Sequence, residues 1–84
     1  MTYAEVIEIF QNTPHRGDNQ RFAFREGIKL LFDLDYESDD VACRDDQIWY
    51  GSPERILDKL TPEICTYLAE RGWCIDDGSF NFWP

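Results

Sequence analysis

The stretch Thr61-Pro62-Glu63-Ile64-Cys65-Thr66-Tyr67-Leu68-Ala69-Glu70-Arg71-Gly72 runs without a spacer into Trp73-Cys74-Ile75-Asp76-Asp77-Gly78-Ser79-Phe80-Asn81-Phe82. Threonine at N-cap, proline at N1 and an acid in the first turn agree on where a helix begins. Ile64, Cys65, Leu68 and Ala69 recur at helical spacing. Gly72, after Arg71, suits the left-handed C′ position that ends such a helix. Beyond it the period changes to two. Asp77-Gly78 between aromatic-rich runs predicts a β-hairpin, with Phe80 and Phe82 on one face and Asn81 and Trp83 on the other. Trp73, between helix end and strand, is predicted to be core.

Upstream, Ser52-Pro53-Glu54 repeats the N-cap, N1 and first-turn device, with Ile56, Leu57 and Leu60 as the inward face. This predicts another helix that must turn sharply at Thr61. Val41-Ala42-Cys43 and Ile48-Trp49-Tyr50 are short apolar runs. The four residues Arg44-Asp45-Asp46-Gln47 between them predict a second hairpin. Nearer the start, Thr2 followed by Glu5 fits a capping box. Tyr3, Val6, Ile7 and Phe10 then mark a helix that Asn12-Thr13-Pro14 ends. His15 to Asn19 reads as a loop, in which Asp18 or Asn19 can cap a further helix. That helix carries an apolar stripe of Phe24, Ile28, Leu31 and Phe32, widened by Phe22 and Leu34. Arg21, Arg25 and Lys29 occupy another of its faces. Gly27, inside it, costs about 1 kcal/mol against alanine and has a use only if something packs closely there. The expected architecture is α+β: about four short helices with a small antiparallel sheet, in a single compact domain spanning residues 1–84.

Charge is distributed very unevenly. Seventeen acids against eight bases give −9 over 84 residues. Residues 33–46 hold seven acids and one base, −6 in fourteen residues, whereas residues 15–32 carry +2. Bare nucleic acid and anionic membranes are poor partners for such a chain, because neutralising phosphates takes clustered Lys and Arg. A basic protein surface is the better match. Met1-Thr2-Tyr3-Ala4-Glu5 lacks the basic start of a signal peptide, and no apolar run reaches the length of a membrane span. Three cysteines with no CxxC pattern, Cys43, Cys65 and Cys74, suit reduced and mostly buried thiols. A cytoplasmic protein is expected, in the host cell cytoplasm if phage-encoded.

No residue pattern calls for a cofactor or a catalytic centre. Asp33, Asp35, Glu37 and Asp39 fall on positions 1, 3, 5 and 7 of an EF-hand loop. Ser38 then stands where the turn glycine belongs and Arg44 where the bidentate acid belongs, so no calcium site is expected. His15 with the scattered cysteines matches no zinc spacing. Nucleophile-elbow, phosphate-loop, dinucleotide and zinc-protease motifs are lacking, and the chain reads as a non-enzyme.

The acidic run remains. In a strand over 35–39, Asp35, Glu37 and Asp39 share one side at about 6.8 Å intervals. Phosphates rise about 3.4 Å per nucleotide along a DNA strand, so such a row is roughly commensurate with alternate phosphates. Asp40, Asp45 and Asp46 extend the negative surface, and Trp49 and Tyr50 follow it as candidate apolar anchors. A solvated loop whose charge keeps the chain soluble is the plainer account of the same residues.

In length, acidity and lack of catalytic motifs, the chain resembles small phage- and plasmid-encoded inhibitors such as anti-CRISPR and anti-restriction DNA mimics. It is also similar to immunity proteins that neutralise nuclease toxins. The basic stretch with Arg16, Arg21, Arg25 and Lys29 departs from an all-round mimic, so one face at most would imitate DNA. The resemblance implies a stoichiometric inhibitor of a nucleic-acid-processing protein. It would occupy a cationic groove through Asp33, Asp35, Glu37, Asp39, Asp40, Asp45, Asp46, Trp49 and Tyr50. An immunity protein, or an acidic adaptor or regulatory subunit, is the alternative.

Overall fold

The computed structural model describes residues 1–15, 20–36, 38, 41–44 and 47–82. Among the described residues, three α-helices, α1 (Tyr3–Asn12), α2 (Gln20–Leu34) and α3 (Pro62–Glu70), accompany a four-stranded antiparallel sheet. The strands are β1 (Val41–Arg44), β2 (Gln47–Tyr50), β3 (Trp73–Asp76) and β4 (Ser79–Phe82), in spatial order β1-β2-β4-β3.

Local chemistry fixes most of these elements. Both halves of the α1 capping box are made: Glu5 N–H donates to Thr2 Oγ1 at 3.2 Å and Thr2 N–H to Glu5 Oε1 at 2.8 Å. Thr61 Oγ1 accepts from Ile64 N–H at 3.2 Å and opens α3. Gly72, at φ +90°, closes it, donating its N–H to Ala69 O at 3.1 Å. Asp77 and Gly78 connect β3 to β4 with both φ positive, +52° and +76°. A two-residue turn of that hand matches the twist of the strands it joins.

The fourth helix expected at Ser52-Pro53-Glu54 is instead one turn of 3₁₀ helix, Pro53–Ile56, capped by Ser52 Oγ. Thr61, held extended ahead of Pro62, leaves too short a segment to repay helix nucleation. The chain tightens through Leu60 N–H bonded to Ile56 O at 3.1 Å, which turns Ile56 and Leu60 inward. The β1–β2 connection is also shorter than expected. Arg44 pairs with Gln47, so Asp45 and Asp46 alone join the strands. The candidate helix caps Asp18 and Asn19, and Trp83, lie outside the described residues.

Pairing of β2 with β4 welds the two hairpins into one sheet. The register places Tyr50, Ile48, Phe80, Phe82, Trp73 and Ile75 on one face, and Trp49, Gln47, Asn81 and Cys74 on the other. The first face, with Val6 and Phe10 of α1, Leu31 of α2 and Leu68 of α3, forms the core. Trp73, Phe80 and Phe82 are almost wholly buried, each contributing about 1.5–3 kcal/mol.

Gly27 finds its use here. A Cβ at this position would fall 2.5 Å from Cδ1 and 2.7 Å from Cε2 of the Trp73 indole, which lies against the bare backbone of α2. The ring also stacks on Phe24, with centroids 5.9 Å apart and planes 17° apart. Helix propensity alone makes Gly27→Ala stabilising by about 1 kcal/mol, whereas displacing the indole costs about 1–3 kcal/mol or more. Urea denaturation of Gly27→Ala is therefore expected to show a net loss of stability that Gly27→Ala with Trp73→Leu partly recovers. A more stable Gly27→Ala protein would contradict the packing.

Candidate functional site

The acidic segment begins where α2 ends. Asp35 N–H donates the last helical bond, to Leu31 O at 2.9 Å, and its own carbonyl accepts from Ser38 N–H at 3.2 Å. The chain thus turns over 35–38, and an extended row through Asp35 does not form. Asp35 is 7% exposed. Its carboxylate meets the Arg55 guanidinium twice, Nε to Oδ2 at 3.0 Å and Nη2 to Oδ1 at 3.1 Å. The fork geometry of arginine makes such bidentate pairs selective for carboxylates. Asp35 therefore belongs to the interior and not to an exposed binding surface.

Tyr50 belongs there too. Only 3% exposed, it donates its hydroxyl to Asp35 O at 2.7 Å. Trp49 is half-buried on the opposite face of the sheet, paired with Ala42 and Asn81. Successive strand residues point to opposite sides, so Trp49 and Tyr50 cannot form one apolar anchor. Asp33 is exposed on α2. Glu37, Asp39, Asp40, Asp45 and Asp46 lie outside the described residues.

Around Tyr50 the structure places the apolar side chains of Phe32 and Val41. Phe32 meets the Tyr50 ring edge-on, with centroids 5.0 Å apart, yet is 49% exposed. Val41 stands opposite Tyr50 in the β1–β2 register and is 54% exposed. Tyr36, next to Asp35, is 75% exposed. These are the exposed large apolar residues among the described ones, and each lies in or beside residues 33–46. Phe32 was expected in the inward stripe. Leu31 takes the inward position and is fully buried, which leaves Phe32 at the margin of the helix where it overlaps β2.

Other polar clusters tie elements together. Tyr67 donates its hydroxyl to Glu26 Oε2 at 2.6 Å, and the Arg71 guanidinium lies 3.5 Å from the Tyr67 ring centre. This set joins α2 to α3 beside an open depression of about 530 Å³. On the outer sheet face, Asn81 Oδ1 accepts from Gln47 Nε2 at 2.9 Å and from the Cys74 thiol at 3.0 Å. Burial pushes the Cys65 and Cys74 thiols up, so both stay protonated at neutral pH, while Cys43 is exposed. His15 lies over the Gly72 backbone. Among the described residues, no three His, Cys, Asp or Glu side chains converge as metal ligands, and no helix is long and apolar enough to cross a membrane.

Comparison of the chain with known protein families, with curated proteins and with solved structures finds no match.

Burial, and then the nearby Asp35 charge, raise the Tyr50 phenol above its ordinary 10.0, with Arg55 opposing. Tyr67 is raised as well, chiefly by its bond to Glu26. A group raised on folding stabilises the protein fully below its unfolded pKa, and the contribution disappears as pH climbs through the folded pKa. Stability should consequently fall above about pH 10. Tyr50→Phe should lose about 1 kcal/mol at pH 7 and show a shallower alkaline decline. Denaturant titrations at both pH values check this, and parallel declines in the two proteins would contradict it.

Proposed function

We propose that this protein is a non-catalytic inhibitor. It binds the cationic groove of a nucleic-acid-processing protein and keeps nucleic acid out. The observation that carries this reading is the coincidence of the most acidic stretch, −6 over residues 33–46, with the exposed apolar residues Phe32, Tyr36 and Val41. Charge alone steers encounter, and apolar contact alone lacks selectivity for a basic partner. Exposed apolar residues within an acidic stretch of sequence fit a basic groove that also offers apolar contact.

The roles divide by physics. Exposed carboxylates act over about 10 Å at 0.1 M salt, so they set the association rate and its salt dependence. Phe32 and Tyr36 lose water only on contact, so they set the dissociation rate. Asp35, Arg55 and Tyr50 hold the turn that follows α2 and do not themselves touch the partner. Trp49 stands on the other side of the sheet and is not needed at this face.

The test uses a partner captured on immobilised protein from host lysate at low salt. In the proposed mode, that partner binds nucleic acid, and this protein displaces the nucleic acid at one-to-one stoichiometry. Reversal of Asp39, Asp40, Asp45 and Asp46 to Lys should slow association at least about tenfold and flatten its salt dependence. Tyr36→Ser with Phe32→Ser should raise the dissociation rate about tenfold or more. Reversal of Glu8, Glu54, Asp58 and Glu63, exposed acids outside residues 32–46, is the charge-matched control. Equal effects of the two reversed sets, or capture of a partner whose nucleic-acid binding is undisturbed, would refute the proposal.

A further inference from the structure

We infer that the partner is engaged by strand addition: an extended basic segment pairs with the open edge of β1 as a fifth strand. The inference rests on the function proposed above and specifies the partner's shape. β1 ends the sheet, with β2 on one side and, among the described residues, no strand on the other. An edge strand directs the N–H and C=O groups of alternate residues outward, and such a row is a template for another chain. Helices, bulges or inward charges commonly protect such edges. Here the described β1 residues Val41, Ala42 and Cys43 are all exposed.

Side chains define the face. Val41 and Cys43 share the side of the sheet that carries Tyr50 and Ile48. An added strand would place every second side chain in the row that continues from Tyr50 through Val41, beside Phe32. Charge then selects the occupant. In sequence, β1 is preceded by Asp39-Asp40 and followed by Asp45-Asp46. A second copy of this chain, pairing in either direction, would bring acid pairs against acid pairs and −9 against −9. A segment with a short β-branched centre and Lys or Arg at both ends reverses that repulsion at each end. Strand addition draws affinity from main-chain bonds and selectivity from alternate side chains.

The experiment titrates ¹⁵N-labelled full-length protein with the synthetic peptide Lys-Arg-Ile-Thr-Val-Thr-Arg-Lys at low salt. The comparison is the same peptide N-methylated on alternate central residues, which keeps charge and side chains and removes the donors. The expected result is slowed amide exchange confined to β1, with binding at least about tenfold weaker for the methylated peptide. Val41→Lys should weaken the unmodified peptide at least about fivefold. Ala42→Lys, the same charge change on the other sheet face, should alter binding less than about twofold. Equal binding of both peptides, equal effects of the two lysines, slowed exchange elsewhere, or β1 protection without peptide from self-association would each overturn strand addition. So would failure of both peptides to bind. In all these cases, slowed partner association after acid reversal keeps the acidic-face reading standing. Partner binding indifferent to that reversal overturns the reading itself.

Discussion

The bond from the Tyr50 hydroxyl to the Asp35 carbonyl, with the Asp35 carboxylate held by Arg55, is the constraint on which the proposed binding face depends. It joins three separate parts of the chain: the end of α2, the end of β2 and the 3₁₀ turn. The last α2 residue is tied to the same region, since Leu34 O accepts from Lys59 Nζ at 3.0 Å. One acid is taken out of the acidic stretch and neutralised inside. The residues on either side of it, Phe32, Asp33 and Tyr36, are left exposed. The pair is half-open, with the Arg55 side chain 49% exposed, so it contributes modest stability, while losing Arg55 would take this partner from a buried carboxylate. Its consequence here is geometric: it fixes where the chain leaves α2.

Legibility in the sequence followed the range of the interaction. The capping box of α1, the Thr61-Pro62-Glu63 start of α3, the Gly72 stop and the Asp77-Gly78 hairpin depend on neighbours a few residues apart, and each was readable. The Ser52-Pro53-Glu54 start was readable as well, but its extent was not. Length there is limited by Thr61, whose extended backbone belongs to the next element. The union of β2 with β4 joins residues thirty or more positions apart, and no local pattern announces it. Gly27 could be marked as costly, yet only the fold reveals Trp73 lying against it.

The site was less legible for a related reason. A run of acids looks uniform in sequence, and only the position of Arg55, twenty residues on, separates Asp35 from its neighbours. The opposite directions of Trp49 and Tyr50 follow from strand period two and were available from the sequence once Ile48-Trp49-Tyr50 was assigned to a strand. The exposure of Phe32 was not, because helical periodicity places it at the margin of the apolar stripe. Which margin is covered depends on how far the sheet extends beneath α2.

The central proposal is that the stretch 32–44 carries the binding surface. Hydrogen–deuterium exchange of the full-length protein, free and in complex with its captured partner, tests it most directly, since it maps contact without altering a residue. The account predicts slowed exchange in peptides from the end of α2 through β1, with the outer side of α3 and the start of α1 unchanged. Slowed exchange in α3 or α1 with residues 32–44 unaltered would contradict it.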